Sequence, residues 1–234
     1  MPGQVHRERD ILDLWERGVA LDRWRREDAL LAGHAPPPRR LGARNTALLA
    51  LRNAHFHGAW PILSTCPHCG IELEFTVDSA ALLADLSADR DNGAVTIEWR
   101  GTRFAAHAPT MEDLRAAAMK EHPQAVARTL LAQCLEGLDA DACDDDALQE
   151  LGAQLEALDP AAIVQFDLTC PDCAHAWPAL LDIGETLWAE VRNLAERTLL
   201  QVDALARAYG WSEAEVLALS PLRRAAYLQL AEAQ

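Results

Sequence analysis

Positive charge is scarce in this sequence: 21 Lys and Arg stand against 36 Asp and Glu, a formal net charge of −15 with a pI near 4.8. Affinity for phosphate comes mainly from Lys and Arg, so the shortage argues against unaided binding to nucleic acid or to an anionic membrane surface and leaves proteins as the expected partners. The deficit is uneven. Residues 1–44 hold nine Arg against seven acidic residues, and the rest holds twelve basic against twenty-nine acidic. No uninterrupted apolar run is long enough to cross a bilayer, and no N-terminal apolar segment precedes a small-residue cleavage site, so a cytoplasmic location is expected. Signatures of catalysis are also missing: there is no Gly-rich phosphate loop, no HExxH, no GxSxG and no His-x-Glu partnered with Pro-Cys-x-x-Cys. A non-enzymatic role is expected.

What is present is enough for a folded core, since half of the 234 residues are apolar, a length that fits one large domain or two small ones. From Asp10 to Ala32, Ile11, Leu14, Trp15, Leu21, Trp24, Leu30 and Leu31 recur at helical spacing, which predicts one or two helices with Gly18 interrupting or capping the first. Core packing is the expected role of this arm. GHAPPPRRLG, residues 33–42, reads as a linker, because consecutive prolines neither donate backbone hydrogen bonds nor continue a helix. Thr46–Phe56 is a short helix stopped by Gly58. Trp60–Thr65 is extended, and Ile71, Leu73, Phe75 and Val77 alternate with polar residues as a half-buried strand. SAALLADLSADRDNG reads as a loop after at most one helical turn. Val95, Ile97 and Trp99 with Gly101 and Phe104 predict a hairpin.

Thr110 and Asp113 suggest a capping box, and Pro123 opens a helix expected to reach Leu138. Asp139–Asp159 contains eight acidic residues and no Lys or Arg, with Leu148, Leu151, Leu155 and Leu158 behind the charge: an acidic amphipathic helix. Its Asp run lacks the Gly and Glu of an EF-hand loop and is expected to be a solvated helix start. Ile163–Leu168 is strand-like. Ile183–Tyr209 is the longest helical pattern, ended by Gly210, and Ser212 with Glu215, then Ser220-Pro221, start two more helices. The expected class is α+β, mostly helical: a helical arm and linker over 1–41, a zinc-ribbon-like antiparallel β unit with a helical insertion over 42–182, and a C-terminal helical segment over 183–234.

Four of the six Cys fall in two Cys-Pro-x-Cys turns, Cys66/Cys69 and Cys170/Cys173, each after a strand. Thiolates at i and i+3 around a tight turn reach one tetrahedral ion, and two such turns complete a closed shell, so one structural zinc is expected, with no open position for water. The alternative is redox chemistry at CPHC, as in thioredoxin-fold oxidases, where the first thiol sits at a helix N-terminus. The strand-like GIELEFTV after Cys69 and the second pair favour metal. His68 is expected exposed in its turn and His175 near the ligands. His55 and His57 are expected to be ordinary, Cys134 a buried thiol and Cys143 an incidental one.

In order, LWERG, a Leu-rich helix, CPHCGIELEFTVD, a hairpin before Pro109-Thr110, FDLTCPDCAHAWPALLDI and LARAYGWSEAEVLALSPLRRAAYLQL resemble the baseplate hub assembly chaperone family of contractile phage tails and phage-tail-like injection systems, over about residues 42 to 231. The resemblance implies an accessory or structural protein that acts in baseplate or hub assembly, without reaction chemistry, bound to other baseplate or hub proteins and incorporated or not in a phage-tail-like particle. A docking face is expected on the C-terminal helices at Trp211, Leu217, Leu219, Leu222 and Tyr227, with core closure as the competing role for the same residues. A zinc-ribbon regulator that binds nucleic acid through GWSEAEVLALSPLRR, with Arg223 and Arg224, is the rival function.

Overall fold

A computed structural model describes residues 3–33, 37–87 and 95–232. The middle of the expected linker (34–36) and the end of the loop after the first hairpin (88–94) lie outside the described residues. The chain is α+β and mostly helical, and it divides into two compact units, one drawn from Met1–Ala35 with Ile183–Gln234 and the other from Pro36–Asp182. The arm and the C-terminal segment, expected as separate parts, thus belong to one unit.

In that unit α1 (Gly3–Gly18) and α2 (Arg23–Leu30) pack with α8 (Ile183–Tyr209), α9 (Glu213–Ala218) and α10 (Pro221–Glu232). The apolar spacing read from the arm is core spacing: Ile11, Leu14, Leu30 and Leu31 are buried with Leu187, Trp188, Val191 and Ala195 of α8. Gly18 is needed for close approach as well as for ending α1, because a Cβ there would lie 2.7 Å from the Trp188 ring. Ser212 and Glu215 form the expected capping box. Among the described residues, no helix is long and apolar enough to cross a membrane.

Among the described residues the second unit holds the strands and five α-helices. Hairpin β1 (Trp60–Thr65)/β2 (Glu72–Val77) buries Trp60, Ile62 and Val77. The Arg52 side chain, from α3 (Leu41–His55), is fully buried over the Trp60 ring and donates to Ser79 Oγ at 2.7 Å at the start of α4 (Ser79–Ser87). α4 is longer than the single turn expected, because Asp78 Oδ1 accepts the N–H groups of Ala80 and Ala81 and so starts the helix. Hairpin β3 (Val95–Trp99)/β4 (Thr102–Ala106) turns through Arg100 and Gly101, both at positive φ (48° and 77°), the left-handed pair that a two-residue hairpin turn demands.

Next come α5 (Met111–Ala118), with its capping box, α6 (Pro123–Cys134) and α7 (Asp145–Glu156). α6 ends four residues before the expected Leu138, because Leu135 leaves the helix to bridge Ala106 and the N–H of Glu136 donates to Ala105 O at 2.9 Å. Asp144 caps α7, and Leu148, Leu151 and Leu155 face a core that includes Ile97, Leu131, Cys134 and Cys143. Cys143 is therefore a core thiol and not an incidental one.

β5 (Gln165–Thr169) pairs with β6 (Ala176–Leu180), a strand that Ala-Trp-Pro-Ala-Leu does not announce. Among the described residues the β structure is three separate antiparallel hairpins and not one ribbon-like sheet.

α3 starts five residues earlier than Thr46, and its start is set from far along the chain. The Arg40 side chain makes no cap to the helix; instead Asp159 Oδ2 accepts the N–H of Gly42 at 2.9 Å. Gly42 must be Gly here, since a Cβ would meet the Asp159 carboxylate and lie 2.8 Å from the Ala161 Cβ. Ala is ordinarily the better helix former, yet Gly42→Ala is expected to destabilise the protein by about 1–3 kcal/mol through overpacking, read as a lower urea midpoint at unchanged m-value.

Candidate metal centre

Each Cys-Pro-x-Cys turn is the six-residue tip of a hairpin: residues 66–71 join β1 to β2 and residues 170–175 join β5 to β6. The tips close identically. The N–H of Cys66 donates to Ile71 O at 2.9 Å and that of Gly70 to Cys66 O at 2.9 Å; the N–H of Cys170 donates to His175 O at 2.8 Å and that of Ala174 to Cys170 O at 3.0 Å. The fifth position of the repeat needs left-handed backbone in both turns, with Gly70 at φ 77° and Ala174 at φ 58°. Glycine adopts this conformation freely; alanine there carries some strain.

The two tips meet. Cys66 Sγ lies 3.7 Å from Cys173 Sγ and Cys69 Sγ 3.6 Å from Cys170 Sγ, and all four sulfurs fall within 4.8 Å of one another. Below them Phe75 of β2 and Phe166 of β5 contact with ring centroids 5.4 Å apart, and beside them His68 stacks on His175 at 5.4 Å. Hydrophobic contact and ring stacking therefore join the hairpins near the sulfurs. Cys66 and Cys170 are buried, Cys173 is half-buried and Cys69 exposed. Both histidines are exposed and neither belongs to the ligand cluster.

This geometry fits a tetrahedral ion. With Zn–S bonds of about 2.3 Å, a tetrahedron of sulfurs has edges of about 3.8 Å, and the observed cross-tip separations of 3.6 and 3.7 Å are close to that edge. Backbone donors are in place for negative sulfur. Burial pushes the Cys66 thiol up, but the N–H groups of Cys69 and His68, with the Cys69 and Cys173 sulfurs, bring it down to about 7. At Cys69 the N–H of Ile71 and the Cys173 sulfur act in the same direction, yet desolvation and the sulfurs of Cys170 and Cys66 leave that thiol raised. At Cys173 the N–H of His175 acts to lower the pKa, and burial with the sulfurs of Cys170, Cys69 and Cys66 drives it up to about 12. Without a cation the Cys66 sulfur opposes ionisation of Cys69 and Cys173; a divalent ion removes that opposition.

Redox chemistry at CPHC would call for a helix N-terminus at Cys66. The residues that follow are a turn and then β2.

Of the expected docking residues, Leu217 is 1% exposed and belongs to the core, a correction that follows from its place on the inner face of α9 beside Val216. Trp211 stacks on Tyr209 at 4.7 Å and meets Tyr227 edge-on at 4.9 Å, so both are engaged in packing; Leu219 is half-buried and Leu222 fully open.

A second group of potential ligands escaped the sequence reading. His107, Asp113 and Cys134 bring a nitrogen, an oxygen and a sulfur within 4.8 Å of one another. They are scattered along the chain without paired spacing, and the only signal Asp113 carries is that of a helix cap.

No family model matches the chain, and no curated protein or solved structure matches it either.

Proposed function

We propose that this chain is a zinc-stapled scaffold without turnover chemistry at the metal, and that it serves the assembly of a contractile tail or injection-system baseplate by binding baseplate or hub components. The observation that carries the first part is the meeting of four sulfurs from two hairpin tips within 4.8 Å of one another, with two of their separations, 3.6 and 3.7 Å, near the edge length of a zinc tetrahedron. Four thiolates fill the coordination shell, so the ion has no position for water or substrate and acts as a fastener.

The second part rests on the resemblance of the paired turns and of the AYGWSEAEVLALSPLRRAAYL ending to the hub assembly chaperones. A net charge of −15 is compatible with protein partners carrying basic surfaces. For the rival nucleic-acid reading, Arg224 is one of two neighbouring cations in the ending, and it is 2% exposed and bonded to Glu8 and Gln201. Its charge is used inside the unit.

The test is co-expression of the full chain with the hub, spike and wedge proteins of the sheath system encoded beside it. Co-purification of a hub or wedge component through size exclusion is expected. If no sheath, tube or baseplate gene lies nearby, or if none of those products co-purifies, the assembly role fails while the metal reading stands or falls by metal content alone.

A further inference from the structure

The second ligand group sits in the same unit as the hairpins but uses none of the four sulfurs described above. Its three members are held by backbone that has other reasons to be where it is. The N–H of His107, just beyond β4, donates to Cys134 O at 3.0 Å, so these two residues lie on adjoining backbone. Asp113 is fixed in the first turn of α5 by the N–H and hydroxyl of Thr110, at 2.8 and 2.6 Å, both to Oδ2, the oxygen that lies 3.9 Å from His107 Nδ1. Cys134 is 1% exposed and Asp113 8%, while the His107 side chain is about half exposed, 49%, and opens the group to solvent.

The ring of His107 lies between two acceptors. Nε2 lies 3.1 Å from Gln133 O and Nδ1 3.0 Å from Ala108 O, two carbonyl oxygens that can only accept. A neutral imidazole has one N–H and can satisfy one of them. When Nε2–H donates to Gln133 O, the Nδ1 lone pair faces the Ala108 carbonyl at 3.0 Å, with the Asp113 carboxylate at 3.9 Å and the Cys134 sulfur within 4.8 Å. Four electron-rich atoms then converge with no positive charge between them. A metal-bound histidine that donates its other N–H to a backbone carbonyl is the usual arrangement around protein-bound ions, because that bond fixes the tautomer and the ring.

We propose that His107 Nδ1, the Asp113 carboxylate and Cys134 Sγ form a second divalent-metal site, with Ala108 O placed as a fourth donor. One nitrogen, one sulfur and carboxylate and carbonyl oxygens form a borderline set that suits Zn²⁺ over the hard cations Mg²⁺ and Ca²⁺. Binding requires the Cys134 thiolate, so its proton passes to solvent as the ion enters. With one thiolate against four, and with an edge open at His107, this site is the weaker of the two and exchanges first.

The experiment compares the full-length wild type with His107→Ala and Cys134→Ala by equilibrium dialysis against graded free Zn²⁺, reading zinc per chain. Cobalt absorption separates the sites, since a tetrathiolate gives much stronger sulfur-to-metal charge transfer than a single thiolate. The wild type is expected to bind one more equivalent than either variant over a range of free zinc, with His107→Ala weakening that equivalent by about 100-fold or more, as expected when a ligand and not merely its supporting hydrogen bond is lost. The strong band should be unchanged in both. Because His107 is half exposed, its variant keeps the fold, and a matching urea midpoint checks this. Superimposable zinc isotherms for wild type and His107→Ala would overturn the proposal. Both results are independent of the four-sulfur site, whose failure would show instead as loss of the strong cobalt band in every protein.

Discussion

Cys170→Ser is expected to abolish the tightly held zinc and to lower the melting temperature of the unit over Pro36–Asp182 by roughly 12–24 °C. The magnitude follows from what the ion holds together. Cys69 and Cys170 are 101 residues apart in sequence, and closing a loop of that length costs about 4 kcal/mol plus a constant. A structural zinc contributes about 10–16 kcal/mol in small finger peptides, enough to outweigh that closure term. Loss of a net of about 6 kcal/mol, the lower end of that difference, at about 2–4 °C per kcal/mol for a domain of this size, gives the stated range. The Phe75–Phe166 contact and the His68–His175 stack remain to hold the hairpins loosely, so partial unfolding localised to the two tips, read as lost hydrogen-exchange protection at Cys66–Ile71 and Cys170–His175, is expected before global unfolding.

The same variant separates the staple from redox chemistry. If CPHC were a dithiol catalyst, Cys66→Ser alone would abolish thiol exchange and Cys170→Ser would leave it intact. If the sulfurs bind one ion, all four serine variants lose zinc alike, and Cys143→Ala, a core thiol outside the cluster, keeps it. A Cys170→Ser protein with full zinc content and an unshifted melting temperature would remove the basis of the scaffold reading.

Local chemistry explains which parts of this structure were legible beforehand. The cysteine turns, the alternation of Leu73, Phe75 and Val77, the capping boxes at Thr110 and Ser212, and the run from Ile183 to Tyr209 each carry their cause within a few residues, and the elements appear where those causes put them. What escaped has a distant cause. β6 contains Ala176, Pro178 and Ala179, poor strand formers, and becomes a strand because β5 pairs with it in a register that sets Pro178 opposite Asp167. Leu217 reads as an exposed apolar residue on a short helix until the packing of its unit buries it. The early start of α3 is the clearest case. RRLGARN follows three prolines and looks like linker, and the group that turns it into a helix is a carboxylate more than a hundred residues away.

That carboxylate supports the second large prediction. Asp159 is 3% exposed; its Oδ1 accepts from Arg40 Nη2 at 3.2 Å while Oδ2 takes the Gly42 N–H at 2.9 Å, and the same Arg40 nitrogen donates to Leu158 O at 3.1 Å. One buried acid therefore neutralises a half-covered guanidinium, satisfies an orphan amide of the first turn of α3 and sits at the positive end of that helix. Asp159→Ala is expected to cost about 3–5 kcal/mol, since it removes the buried carboxylate that pairs with Arg40 and leaves the Gly42 N–H without its acceptor. Asp159→Asn keeps an acceptor for Gly42 but loses the charge, so a smaller loss of about 1–3 kcal/mol is expected. Urea midpoints at constant m-value provide the measurement. Equal losses for Ala and Asn would assign the whole effect to the Arg40 ion pair and none to the cap, whereas an Ala variant within 0.5 kcal/mol of wild type, roughly the range of ordinary surface changes, would mean that α3 is started by its own sequence and not by Asp159.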